Sequence, residues 1–76
     1  MKVTLTLKRA PSPEDIAFIE SSLREIHPDI TETSRESLCI SFTAPTTDVV
    51  PFGHLFKSWL RSPESIMEGY FMVADL

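Results

Sequence analysis

Residues 12–28, SPEDIAFIESSLREIHP, decide the fold, because they carry both a start and a stop signal for one amphipathic helix. Ser12 is placed to cap it, Pro13 suits the first helical position, and Glu14 and Asp15 put negative charge where the helix dipole favours it. Ser12 and Asp15 have capping-box spacing, with Asp a shorter partner than Glu or Gln. Pro28 pushes His27 out of helical geometry and ends the segment. Between these marks Ile16, Ile19, Leu23 and Ile26 recur at spacings of three and four, an apolar stripe that needs a surface to lie on. Phe18 falls off that stripe, among Ser21, Ser22 and Glu25, and is expected on the wet face.

The segments on either side supply that surface. Lys2 to Arg9 alternates, with Val3, Leu5 and Leu7 on one side and Lys2, Thr4, Thr6 and Lys8 on the other, which predicts a strand with one buried face. Asp29 to Ser34 alternates weakly and suits a short polar edge strand, with Arg35 and Glu36 in the turn that follows. Ser37 to Thr43 reads as a strand with Leu38, Ile40 and Phe42 on one side and Cys39, Ser41 and Thr43 on the other.

A loop over Ala44 to Thr47 leads to a second helix, capped by Thr47 or Asp48 and running to about Arg61, with Pro51 tolerated in its first turn. Its stripe is Val49, Phe52, Leu55, Phe56, Trp59 and Leu60. Gly53 costs about 1 kcal/mol relative to Ala in a helix interior, so it marks either close packing or a helix that starts late. Ser65 to Leu76 is apolar on both alternating sets, with Met67, Phe71 and Val73 on one and Ile66, Tyr70, Met72 and Ala74 on the other. This predicts a strand buried on both faces; if Met67, Phe71 and Val73 face the helices, Tyr70 and Met72 extend onto the open side at an edge, the alternative being the reverse facing.

Strand, helix, strand, strand, helix, strand is the split βαβ, or ferredoxin-like, order of an α+β domain, with two helices on one face of a four-stranded antiparallel sheet. The right-handed crossover rule places strands one and three in the middle. Seventy-six residues make one domain, 1–76, whose core is small, with about 60% of the unfolded surface buried at this size.

The lone Cys39 forms no intrachain disulfide, and no Cys and His cluster has metal-ligand spacing. A net charge of −4 and a pI near 4.9 argue against a nucleic-acid partner, which depends on Lys and Arg to release counterions. No apolar run is long enough to span a bilayer, and Met1 to Lys8 alternates instead of forming a signal region, so no membrane partner is expected and the cytoplasm is the expected compartment.

Neither a catalytic residue nor a cofactor site is expected. Cys39 with His27 or His54 is the single nucleophile and base combination, and the sheet would separate its members. His27 reads as a helix-end cation, and the acidic residues read as solvated charge. With Gly53 and Gly69 the only glycines, no phosphate loop is present. The expected function is a small non-enzymatic protein-interaction domain, a regulatory or accessory subunit or a compact inhibitor of the kind that phages encode. Its contact residues are expected to be Phe18 on the outer face of helix one and Tyr70, Met72 and Ile66 on the C-terminal edge strand. The expected partner is another protein or a second copy in a homodimer. The alternatives are a small-molecule-sensing domain on the same fold and, behind it, an enzyme dependent on Cys39.

Overall fold

The computed structural model describes residues 1–73. The chain runs β1 (Lys2–Leu7), α1 (Pro13–Ile26), β2 (Thr31–Glu36), β3 (Cys39–Thr43), α2 (Val50–Arg61) and β4 (Met67–Val73). The strands form one antiparallel sheet in the order β2-β3-β1-β4, the ferredoxin-like α+β arrangement with β1 and β3 central. Val3, Leu5 and Leu7 of β1, with Ile40 and Phe42 of β3, share a core with Ile19 and Leu23 of α1 and Phe52 and Phe56 of α2. Each group is the apolar set of its own element, so the two periodicities meet across a single interface.

The start of α1 is a complete capping box. Ser12 Oγ accepts from the Asp15 N–H at 3.2 Å, and Asp15 Oδ2 accepts from the Ser12 N–H at 2.9 Å. His27 is the C-cap, and its backbone N–H donates to the Leu23 carbonyl. Its Nδ1 accepts from the Asp29 N–H at 3.3 Å, which ties the end of the helix to the turn that follows.

The second strand begins and ends two residues later than the sequence suggested. Arg35 and Glu36 belong to it, and Ser37 and Leu38 form the turn. That turn has no residue of positive φ, unlike the commonest two-residue hairpins, and it carries Leu38 out of the buried row into solvent. Thr33 is an extra residue in the β2–β3 ladder, which brings Glu32 and Arg35 to one side, where they pair at 2.7 Å. At α2 the cap position falls on Val49 with no side-chain hydrogen bond of its own. Asp48 still serves the helix start, because its carboxylate accepts from the Val50 N–H at 3.1 Å.

The largest correction concerns β4. Thr6 pairs with Gly69 but Leu7 pairs with Met67, so Glu68 is an inserted residue and the strand changes parity there. Val3 opposes Met72, Leu5 opposes Tyr70 and Leu7 opposes Met67, all on the helix side, while Phe71 opposes Thr4 and Val73 opposes Lys2 on the open side. Tyr70 and Met72, expected on the open side, are therefore packed against the core beneath α2, and Phe71 and Val73, expected inside, are exposed. Ala74, expected on the same set as Tyr70, lies outside the described residues.

Candidate functional site

An apolar cleft of about 230 Å³ opens between the helices at the end of the sheet where β1 finishes and β4 begins. Leu5, Leu7 and Met67 make its floor. They can do so because the Glu68 insertion keeps Met67 on the helix side together with Tyr70 and Met72. Phe18 and Ile19 of α1, Trp59 of α2 and Ile66 line its sides.

Phe18 is 60% exposed, as the sequence suggested, yet it is not alone on a wet face. Its ring centroid lies 5.6 Å from that of Trp59, tilted by 41°, within the range where aromatic pairs attract beyond their buried area. Trp59 in turn stands 5.6 Å from Phe56, and Phe56 stands 5.1 Å from Tyr70. A continuous aromatic run thus crosses from the outer side of α1, under α2, to the edge strand.

The rim is polar. Ser62, Glu64 and Ser65 border the cleft from the loop between α2 and β4, and Asp15 borders it from the first turn of α1. Three hydrogen bonds shape that loop: Ser62 N–H to the Trp59 carbonyl, Ser65 N–H to the Ser62 carbonyl, and Met67 N–H to Ser65 Oγ. Lys8 N–H then ties it to β1 through the Ile66 carbonyl at 2.7 Å, which fixes Ile66 as a wall. The Arg9 guanidinium, 2.7 Å from Asp15, is the main cause holding that carboxyl at about 2, below its usual 3.8, and the Ser12 N–H adds to the effect.

Of the residues singled out from sequence as partner contacts, the structure brings Phe18 and Ile66 together at this cleft and leaves Tyr70 and Met72 beneath α2. Ile66, expected on the C-terminal edge strand in the same alternating set as Tyr70 and Met72, precedes the first residue of β4 and faces the cleft. The part played by Trp59 was not read from sequence, where it counted only as a core position. The off-stripe placement of Phe18 was the available signal, since an aromatic beside an amphipathic stripe can meet a neighbouring helix.

Cys39 is half-buried and lies on the open face of the sheet, opposite Thr6 and Glu36. Beside it on that face the Thr4 and Ser41 hydroxyls share a hydrogen bond of 3.1 Å. Among the described residues, no group of three or more His, Cys, Asp or Glu side chains is placed to hold a metal, and no helix is long and apolar enough to cross a membrane. No family model, curated protein or solved structure matches the chain.

Proposed function

We propose that this domain is a non-enzymatic interaction module, a regulatory subunit or an inhibitor, that receives one large apolar side chain of another protein in the cleft between α1 and α2. The observation that carries this reading is the size and lining of the cleft. A space of about 230 Å³ with an apolar floor and the touching Phe18 and Trp59 rings in its lining lies below the ~300–1,000 Å³ of pockets that engulf drug-sized ligands. It exceeds the ~150 Å³ that accommodates benzene. The match is to a single anchoring side chain, with Ser62, Glu64 and Ser65 as a polar rim, the pattern in which a buried anchor dominates binding and its surroundings exclude water.

The test is co-purification from the native host with tagged wild type, Phe18→Ser and Ile66→Asp. The partner is expected to be retained by wild type and lost by both variants, and Trp59 emission is expected to shift when the purified partner is added. A partner held equally by all three proteins overturns the proposal.

The same lining favours a second reading, a small apolar metabolite in place of the anchor. A rise in melting temperature with one compound of a metabolite panel, absent in Phe18→Ser, would favour it over the first.

A further inference from the structure

We infer that β4 and α2 form the interface of a two-fold homodimer in which the β4 strands of two copies pair antiparallel about Phe71, giving one continuous eight-stranded sheet. This goes beyond the cleft reading and rests on a different surface.

The two edges of the sheet are unlike. β2, at one edge, is exposed at every position, carries Glu32, Arg35 and Glu36, and is interrupted by the Thr33 insertion. Charges and bulges of this kind blunt an edge against pairing. β4, at the other edge, has one charge and its own insertion, both at Glu68 near its start; from Gly69 to Val73 it carries no charge and no proline, and its outer side has no ladder partner among the described residues.

Exposed apolar side chains gather at that same edge. Among the described residues Phe18 belongs to the cleft and Leu38 to a turn, whereas Val50, Leu60, Phe71 and Val73 all sit on α2 and β4. Phe71 is 66% exposed, Val50 59% and Leu60 43%, large fractions for side chains of this size in a small domain.

A second copy is the occupant because the edge is complementary to itself. A β carbon at Gly53 would lie 3.9 Å from Met72 Cε, and the Phe56 ring rests on Tyr70, so α2 runs antiparallel to β4 with Phe71 level with the stretch between Gly53 and Phe56. Leu55, midway between Val50 and Leu60 in sequence, falls in that stretch. A two-fold axis at Phe71 therefore opposes the two Phe71 rings on the open face and brings each Val50 toward Leu60 of the partner subunit. Val50, Gly53, Lys57 and Leu60 share one side of the helix, and the flexible stem of Lys57 can carry its ammonium outward. The charges of the strand also permit the pairing. The two copies of Glu68 would stand six residues apart along the ladder, roughly 20 Å, which is beyond the screening length of about 8 Å at physiological salt.

Sedimentation velocity of the full chain from micromolar to millimolar concentration is expected to give a dimer. Phe71→Lys with Leu60→Lys is expected to raise the dissociation constant by about tenfold or more without altering the melting of the monomer, since both side chains are exposed. In a Cys39→Ser background, Phe71→Cys is expected to form an intermolecular disulfide with diamide, because directly opposed strand residues lie within disulfide reach, while Ser34→Cys on β2 is expected to form none. A monomer at every concentration, a dimer unaffected by the Lys pair, or equal cross-linking through Ser34→Cys overturns the inference. Phe18→Ser is expected to leave the dimer intact, so loss of partner binding at the cleft and loss of self-association are read separately.

Discussion

The Tyr70 ring lies 5.1 Å from that of Phe56 and tilted 43° to it, so the hydroxyl-bearing aromatic of the edge strand is held beneath α2. Phe56 is fully buried, and truncating it to Ala is expected to cost about 3–5 kcal/mol. That is a large part of the stability of a domain whose total is of the order of 0.1 kcal/mol per residue. Tyr70→Ser is expected to destabilise in the same direction by roughly 2–3 kcal/mol. Urea denaturation of both variants checks this, and a Tyr70→Ser protein as stable as wild type would place that ring outside the core.

Glu68 is surplus to the pairing of β4 with β1, because Gly69 opposes Thr6 and Met67 opposes Leu7. Removing it leaves Met67, Gly69, Tyr70, Phe71, Met72 in simple alternation with every side chain on its present face. A deletion of Glu68 is therefore expected to fold cooperatively, with a melting temperature within a few degrees of wild type. Deletion of Tyr70 instead moves Gly69 opposite Leu5 and takes the aromatic ring out of the core, and is expected to lower the melting point sharply by comparison.

The α1 cap links stability to pH. Asp15 titrates at about 2 in the folded chain against its usual 3.8, through Arg9 and Ser12. A lowered carboxyl value means that its contribution is complete above pH 3.8 and is lost as pH falls toward about 2, because the unfolded chain takes up the proton first. Melting curves from neutral pH down to 2 are expected to show a fall across that window that Asp15→Asn makes shallower. Ser12→Ala, which removes the acceptor for the Asp15 N–H, is expected to cost about 1 kcal/mol at neutral pH.

Gly53 occupies the interior of α2, where a β carbon would meet Met72 Cε at an ordinary 3.9 Å. Neither close approach nor an unusual backbone angle requires the glycine. Gly53→Ala is expected to stabilise the fold by about 0.5–1 kcal/mol through helix propensity and reduced freedom of the unfolded chain. A lower denaturation midpoint would show that Met72 cannot yield.

The sheet order was legible because two helical periodicities alternate with period-two segments, and only a few topologies accommodate that sequence of elements. The ends of α1 were legible for a local reason: Ser12, Pro13, Asp15 and Pro28 act within one turn and need no tertiary partner. The facing of β4 was not legible by counting, since alternation assumes that every residue advances the ladder by one, and Glu68 does not. Gly69, an isolated glycine within a strand, was the sign of that insertion. Leu60 follows the helical stripe in sequence but is exposed, because it sits at the margin of that stripe toward Gly53 and Lys57. The Phe18 and Trp59 pair depends on how two helices lie side by side, which neither helix specifies alone.

All six residues of β2 face water, and the strand is joined to the rest by its ladder with β3. Peeling it away uncovers little apolar surface, so the free-energy gap to that open form is small beside the gap to the fully unfolded chain. In deuterated solvent the amides of Thr31 to Glu36 should therefore exchange through brief local excursions, while those of Val3 and Leu5 wait for global unfolding. The domain then behaves as a three-stranded kernel carrying a detachable fourth ribbon, and a single mass-spectrometric time course would separate the two populations.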